Sequence, residues 1–298
     1  MNLQPKLVSV GIPTYNRADM LRRSVESVLC QDYMLIEILI SDNSSTDDTQ
    51  NICQQFCEKD ERVKYVQQSS NIGASANFKN VLARASGEYF MWLGDDDWID
   101  LTYISLCVSL LASDPDIALV SGTPQYYREG KKVFEGNMFN LLQQSWAVRV
   151  ANYYMKVADN GMFYGLMRTA MLQQVEVPNT MGGDWHLLAN IVSTGKTIML
   201  PPVSVHRELG GATTSYWKIA KSLGLPKIQA VFPMATTASG AWLNIIFNGQ
   251  LYKTRNILSR FALANVVFII VILKNVRGYL GSIRRFLTSH LRIWAGCK

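Results

Sequence analysis

Three times in the first 85 residues, a β-rich apolar run gives way to a short polar loop and then to a segment with helical spacing. No other feature restricts the fold as much. "LVSVGI" (7–12) closes with "PTYNR", after which Met20, Leu21, Val25, Val28 and Leu29 recur along one helical face. "IEILIS" (36–41) leads through "DNSSTDD" to a helix from about Asp47 that carries Ile52, Cys53 and Phe56. "VKYVQ" (63–67) leads through "SSNIGASANF" to a helix stopped near Ala85 by Ser86 and Gly87. A fourth strand, "YFMWL", ends at "GDDDW". Alternating strands and helices with short connections predict an α/β fold, a mostly parallel sheet flanked by helices. Ligands in such sheets bind beyond the carboxyl ends of the strands, so the four loops are expected at one rim.

The last of these loops carries Asp95, Asp96 and Asp97 in succession. One Asp suffices to cap a helix over Leu101–Leu111, and a solvated acidic turn is the simple reading. Three adjacent carboxylates repel one another, so a divalent cation is the other. Pro13 and Thr14 stand where a dinucleotide fold places glycines, and no G-x-x-x-x-G-K-[ST] occurs. A nucleotide at this rim therefore needs another grip on its diphosphate. Mg²⁺ or Mn²⁺ between the Asp95–Asp97 cluster and two phosphoryl oxygens supplies one.

With 298 residues, 48% of them hydrophobic, the chain can bury a sizeable core. Five scattered cysteines and a start that runs straight into "LVSVGI" lead us to expect a reduced, cytoplasmic protein. Cys53 and Cys57 lie one helical turn apart with no partner ligands, and read as helix-face residues. Residues 121–160 are aromatic and irregular. Beyond them "FYGLMRTAMLQQ" (163–174) has helical spacing, Asp184 of "MGGDWHLLANIVSTG" precedes another helix, and "KTIMLPPVSVHRELGGATTS" reads as a strand or two and a polar segment.

The net charge of +6 hides an asymmetry: the 90 residues after Glu208 hold 12 Lys or Arg and no acid. Within them "ILSRFALANVVFIIVIL" (257–273) is intensely apolar, but its charge-free part, Phe261 to Leu273, is shorter than the ~20 residues of a membrane-spanning helix. From Arg277 to Trp294 apolar residues recur on one face among arginines, the pattern of a basic amphipathic helix at a membrane interface. A helical pair packed on the protein is the rival reading. No recognition motif accompanies the basic run, so nucleic acid is not an expected partner.

Taken in order, "VSVGIPTYNR", "ILISDNSSTDDT", "NIGASANF", "ASGEYFMWLGDDDW" and "MGGDWHLL" resemble the family 2 glycosyltransferases over about residues 7–215. The resemblance implies the Rossmann-like GT-A fold over 1–215, with a nucleotide-sugar-binding half (1–112) and an acceptor-side half (113–215), followed by the basic, apolar region 216–298. It places Pro13, Tyr15 and Arg17 around the base and ribose, with Asp42 accepting a hydrogen bond from a pyrimidine. Asn71 and Gly73 join the nucleotide-sugar set. Asp96 falls on the usual metal-binding Asp, Asp97 beside it is a second metal candidate, and Asp95 contacts ribose or metal. Asp184 matches the acid of the late "ED" motif, while His206 and Arg207 stand where a His or Arg approaches the diphosphate. Gly94 and Gly183 depart from the family pattern, replacing an Asp and a Glu.

The activity implied is metal-dependent, inverting transfer of a sugar from a nucleotide-diphosphosugar to a glycan or lipid-linked acceptor. Mn²⁺ or Mg²⁺ on Asp96 stabilises the leaving group and Asp184 acts as general base. Peripheral contact of 257–294 with the inner face of the cell membrane completes the expectation. The two departures keep open a catalytically silent nucleotide-sugar-binding module, and the related sheet keeps open a sugar-phosphate nucleotidyltransferase.

Overall fold

The structure, a computed structural model, describes residues 6–209, 215–274 and 276. Strands β1 (Val8–Thr14), β2 (Ile36–Asp42), β3 (Val63–Gln67) and β4 (Tyr89–Trp92) pair in parallel in the order β3-β2-β1-β4. Helices α1 (Ala18–Leu29), α2 (Thr49–Lys59) and α3 (Ala74–Ala83) connect them, as the repeat predicts. β1 and β2 are buried along their whole length, which is why their sequences run apolar without alternation. α1 buries Ala18, Leu21, Val25 and Val28, one stripe at helical spacing.

Beyond β4 the sheet becomes mixed. It continues β4-β8-β6-β9-β5, where β5 is Trp98–Ile99, β6 Ile117–Arg128, β8 Leu166–Arg168 and β9 Lys196–Glu208; β7 (Lys131–Glu135) pairs with β6 off this path. The β4-β8, β8-β6 and β9-β5 pairs are antiparallel, and β6-β9 is parallel. Helix α4 (Tyr103–Ser113) follows β5. Trp92 at the end of β4 stacks on Phe163 at 5.0 Å and donates its indole N–H to the Phe78 carbonyl at 3.1 Å, so one fully buried ring ties the two halves together.

Two stretches differ from the sequence reading, and a third takes one of the forms it allowed. The helical spacing of 163–174 resolves into a 3-10 turn (Gly161–Tyr164), β8 and a four-residue helix α6 (Thr169–Leu172). Met167 is paired on both sides, with Phe90 and with Leu119, so sheet pairing overrides the local period. Residues 121–160 hold most of β6, β7 and helix α5 (Trp146–Lys156). Their hairpin turns on Glu129 (φ 52°) and Gly130 (φ 74°), the doubly positive pair of a type I′ loop. The stretch read as a strand or two is the single strand β9, whose register jumps where Pro201 and Pro202 offer no N–H to the ladder.

Helix α7 (Gly183–Thr194) crosses the second half, and Asp184 lies in its first turn rather than before it. Short helices α8 (Tyr216–Ser222) and α9 (Lys227–Val231) precede α10 (Pro233–Leu243), and a π turn over Asn244–Asn248 follows. Helix α11 (Ile257–Lys274) is 18 residues long and, by length and composition, apolar enough to cross a membrane. Arg260, Leu263, Ala264, Val267 and Val271 form its buried face. Arg260 donates to the carbonyls of Ile245 and Ile246 in the π turn, which turns its charge inward. The outer face leaves Ile257, Leu258, Phe261, Ile269 and Leu273 exposed. The amphipathic pattern of 277–294 lies outside the described residues.

Candidate active site

The four loops meet at one rim. Beyond β1, Thr14 donates to Asp95 Oδ2 at 2.8 Å, and Arg17 stands 3.6 Å from Asp96. Asn16, at φ 53°, receives Ser45 Oγ on its side of the gap: its backbone N–H donates to that hydroxyl at 2.9 Å, and its side chain accepts from Thr46 N at 2.8 Å. Pro13 is buried at the strand end while the Tyr15 ring is exposed. Asn43 donates to Asn71 Oδ1 at 2.9 Å and accepts from Ile72 N at 2.8 Å, and Gly73 N also donates to Asn71. That network shapes the loop over the N-terminus of α3, with Gly73 at φ 85°.

Asp42 does not open onto the rim. It is fully buried, accepting Ser45 N at 2.8 Å, Tyr65 Oη at 2.8 Å and Gln67 Nε2 at 3.2 Å. In this arrangement it fixes the loop that would surround a base.

The triplet divides three ways. Asp97 N closes a turn onto the Gly94 carbonyl at 3.1 Å, which Ser24 Oγ also reaches at 2.8 Å. Asp97 then folds inward: it accepts from Glu208 N at 3.0 Å and lies 3.8 Å from Arg207 Nε. A Cβ on Gly94 would sit 2.6 Å from Asp97 Oδ2, so an Asp at position 94 would displace the Asp97 carboxylate from its place. Asp95 is held by Thr14, and Asp96 keeps the looser contact with Arg17. Burial, reinforced by Asp96, pushes Asp95 up to about 7; burial pushes Asp97 up to about 7 against the pull of Arg207. Asp96 is likewise raised by burial, with Arg17 opposing.

Arg207 is half-buried, its guanidinium 4.7 Å from the Tyr164 ring and hydrogen-bonded to Tyr126 Oη at 2.9 Å. Its charge pulls down Asp96, Asp97 and Asp184 alike. His206 is engaged elsewhere. It stacks on Trp98 at 5.0 Å, places Nε2 2.7 Å from Asp100 and Nδ1 3.1 Å from Tyr127 Oη, so both ring nitrogens have partners.

Asp184 is solvent-accessible by surface area yet surrounded by enough protein for burial to raise its pKa. Asn160 donates to its Oδ2 at 2.7 Å and in turn accepts from Tyr153 Oη at 2.8 Å. Gly183 before it cannot be Glu in this backbone, because a Cβ there would lie 2.1 Å from the Pro178 carbonyl. At both departures from the family pattern a side chain would meet close neighbours in this packing.

Sequence reading missed Asn160 and Tyr153, which hold Asp184, and Asn77, which donates to the Ser41 carbonyl at 2.8 Å between the ends of β1 and β2. It also missed Arg23, which caps the Asp96 carbonyl at 2.8 Å and lies 3.6 Å over the Trp98 ring. The side chain of Asn160, at φ 51°, offered the one available signal, an Asn before Gly where αL is favoured. Among the described residues no three His, Cys, Asp or Glu side chains stand close enough to hold a metal by themselves. One or two carboxylates completed by substrate oxygens is the usual arrangement for Mg²⁺, and Asp96 with Asp95, crowded and driven toward protonation, fits it.

A parallel nucleotide-type half, joined through β4 to a mixed half with an acidic triplet at the seam, defines the GT-A glycosyltransferase fold. The chain belongs to the family described as Glycosyl transferase family 2, whose profile matches residues 9–175. It is 32% identical over 177 residues to glycosyltransferase GlyA of Streptococcus pneumoniae, covering 59% of this chain and 24% of that one. It is 31% identical over 172 residues to a GalNAc(5)-diNAcBac-PP-undecaprenol beta-1,3-glucosyltransferase of Campylobacter jejuni, covering 57% and 53%. It is 30% identical over 190 residues to the Escherichia coli UDP-Glc:alpha-D-GlcNAc-diphosphoundecaprenol beta-1,3-glucosyltransferase WfaP, covering 64% and 72%. The chain thus spans about a quarter and about half of the first two relatives. Staphylococcus aureus TarS 1-349 in complex with UDP-GlcNAc superposes with a TM-score of 0.56 at 18% identity, over 89% of this chain and 81% of that one. The Pyrobaculum calidifontis mannosyltransferase PcManGT with GDP-Man and Mn²⁺ gives 0.54 at 16%, over 92% and 88%.

Proposed function

We propose that the protein transfers a sugar, with inversion, from a nucleotide-diphosphosugar to a lipid-linked or glycan acceptor in cell-surface polysaccharide synthesis. The observation that carries this is the meeting of the β4 loop with β9, where Asp97 accepts from Glu208 N at 3.0 Å and lies 3.8 Å from Arg207 Nε, whose charge also lowers the pKa of Asp96 and Asp184. The loops around Pro13, Tyr15, Arg17, Asn71 and Gly73 would receive the nucleotide, with Asp42 holding their shape from beneath. Asp96, with Asp95 beside it, would hold Mn²⁺ or Mg²⁺, and Asp97 is better placed to anchor Arg207 than to ligate. When bound, the ion supplies Lewis-acid stabilisation to the departing diphosphate. Arg17 and Arg207 add positive charge on the same side, and His206 buttresses Trp98 next to it.

Asp184 would take the proton of the acceptor hydroxyl. Asn160 donates to Oδ2, which favours the ionised form and fixes the direction of the carboxylate. The lipid-linked acceptor is supported by two relatives whose names specify undecaprenol-diphosphate sugars. The exposed apolar face of α11 and the absence of acidic residues after Glu208 support peripheral seating on the anionic cytoplasmic face of the membrane.

Calorimetric titration of UDP, GDP, CDP and dTDP, with and without Mn²⁺, tests the core of this reading on the wild type and Asp96→Ala. Binding of one nucleotide that requires Mn²⁺ and is lost in the variant is expected. Binding indifferent to both ion and Asp96 would return the triplet to an acidic turn.

A further inference from the structure

Lys274, at the end of α11, turns inward. Its ammonium donates to the carbonyls of Tyr154, at 3.3 Å, and Val157, and lies 5.1 Å over the Trp185 ring. Both carbonyls belong to the C-terminal end of α5, where the helix dipole favours a cation. The place is an unfavourable one for a lysine. Burial pushes its ammonium down to about 8, whereas a lysine closing a membrane-facing helix gains by reaching out to water or anionic headgroups.

The turn that Lys274 holds is the one from which the transfer centre is supported. Val157 N closes α5 onto the Tyr153 carbonyl at 2.8 Å, and the Lys156 carbonyl accepts from Asn137 Nδ2 at 2.7 Å. Asp159 follows, one carboxylate oxygen accepting Asn137 N at 2.9 Å and the other Gly161 N at 3.2 Å. Its carbonyl accepts from Arg207 Nη1 and from Tyr126 Oη, both at 3.3 Å. Asn160, at φ 51°, then directs its amide to Asp184. Residues 154–160 thus meet α11 at one end and both Arg207 and Asp184 at the other. Trp185, beneath the ammonium, is the chain neighbour of Asp184 in the first turn of α7. Lys274 therefore bears on the surroundings of Asp184 from α5 and from α7 together.

We infer that Lys274 is a positioning residue for Asp184, through which α11 locks the α5 turn that presents Asn160 to the carboxylate. The inference rests on Asp184 as the base of the proposed transfer. Capping of α5 alone would call for no contact with Trp185, and Lys274 makes both. A loosened turn lets Asn160 leave its left-handed backbone, and with it the short, directional bond to Asp184 Oδ2. The helix with the exposed apolar face is in this way also a strut of the transfer centre.

Amide hydrogen exchange on the full chain, read by mass spectrometry, tests this without donor or acceptor. Lys274→Met removes the charge and keeps an apolar stem. Exchange over 157–164, where Gly161 N and Phe163 N are held by Asp159 and the Asn160 carbonyl, should quicken by about ten-fold or more, with 42–46 unchanged. Lys274→Arg keeps the charge and should exchange as the wild type does. Unchanged exchange over 157–164 in the Met variant overturns the inference. So does an Arg variant that exchanges as fast as the Met one, or a rise spread evenly along the chain, which marks lost stability alone. If the Met variant melts early, Lys274→Gln takes its place. In the transfer assay the acid limb of kcat/KM should rise by about 0.5–1 pH unit in the Met variant, roughly half of what complete loss of one charged hydrogen bond gives, with the donor KM unchanged. Arg207, Tyr153 and Tyr154 also act on Asp184 and are the same in every variant. A limb that stays in place counts against Lys274, whereas failure of the nucleotide titrations strikes the proposed transfer, and the exchange measurement tells the two apart.

Discussion

Removing the side chain of Asn160 should move the pH dependence of transfer, not merely its rate. Asn160 donates to Asp184 Oδ2 at 2.7 Å, and that contact opposes the burial that raises the Asp184 pKa. Hydrogen bonds to charged groups contribute about 1.5–3 kcal/mol, equivalent to about 1–2 pKa units. The sign follows directly. Losing the donor raises the pKa of Asp184 further, so the fraction ionised falls on the acid side. The acid limb of kcat/KM should therefore shift upward by about 1–2 pH units, with a loss of about 10- to 150-fold below it that shrinks as pH rises. Asn160→Gly is the variant of choice, since φ is 51° and an Ala there adds backbone strain of about 1–2 kcal/mol. Initial rates at several pH values, with the donor named by the nucleotide titrations, give the profile. Tyr153→Phe frees the Asn160 amide to turn and should shift the limb in the same direction by less. An acid limb that stays in place, with the rate lowered equally at every pH, would refute Asn160 as the residue that tunes the base.

Gly94→Ala should destabilise by about 1–3 kcal/mol and weaken nucleotide binding, because the new methyl meets Asp97 at 2.6 Å and drives it off Glu208 N and Arg207. Calorimetric melting of the Gly94→Ala, Asp97→Ala and double variants checks it: the two effects must fail to add. Glu37 supports the acid stability of the fold. Burial opposes its ionisation, but Lys64, Ser9 and Ser86 prevail and hold it at about 2, against 4.5 ordinarily. A depressed carboxyl contributes fully above about 4.5 and loses its contribution as pH falls toward 2. With Lys64 half exposed, Glu37→Gln should cost about 2 kcal/mol in urea unfolding at pH 7 and little at pH 2, and an equal cost at both would be contrary. Finally, Phe247→Ser with Phe261→Ser should lower sedimentation with anionic vesicles by about ten-fold or more, since both rings are exposed and contact Trp242. Unaltered sedimentation would remove α11 from the membrane contact.

The parallel half was legible because β1, β2 and β4 are buried on both faces and helices such as α1 present one apolar stripe, so composition and period agree with the fold. The second half was not, because its pairing is remote. Met167 belongs to a strand only by virtue of Phe90 and Leu119 on either side, and nothing near it in sequence signals either. In the site, Asp95, Asp96 and Asp184 announced themselves as charges in a polar loop or before a helix. Which way each points was not legible: the inward turn of Asp97 depends on an N–H at Glu208, and the burial of Asp42 on Tyr65 and Gln67. His206 shows the converse case, a residue in the expected place whose nitrogens are occupied by Asp100 and Tyr127.

The contact between Asp97 and the Glu208 backbone spans 111 residues of chain, and it bears on how the protein is made. Synthesis proceeds from the N-terminus, so the three carboxylates of the β4 loop are complete more than a third of the chain before Arg207 exists. The family profile ends at residue 175, short of Asp184, Arg207 and Glu208. A nascent or truncated chain that stops there holds Arg17 and Arg23 beside Asp96 but lacks both Arg207 and the Glu208 N–H that anchor Asp97. The acidic turn therefore reaches its final form late in biosynthesis, when β9 is laid beside β6, and not when the parallel half has folded.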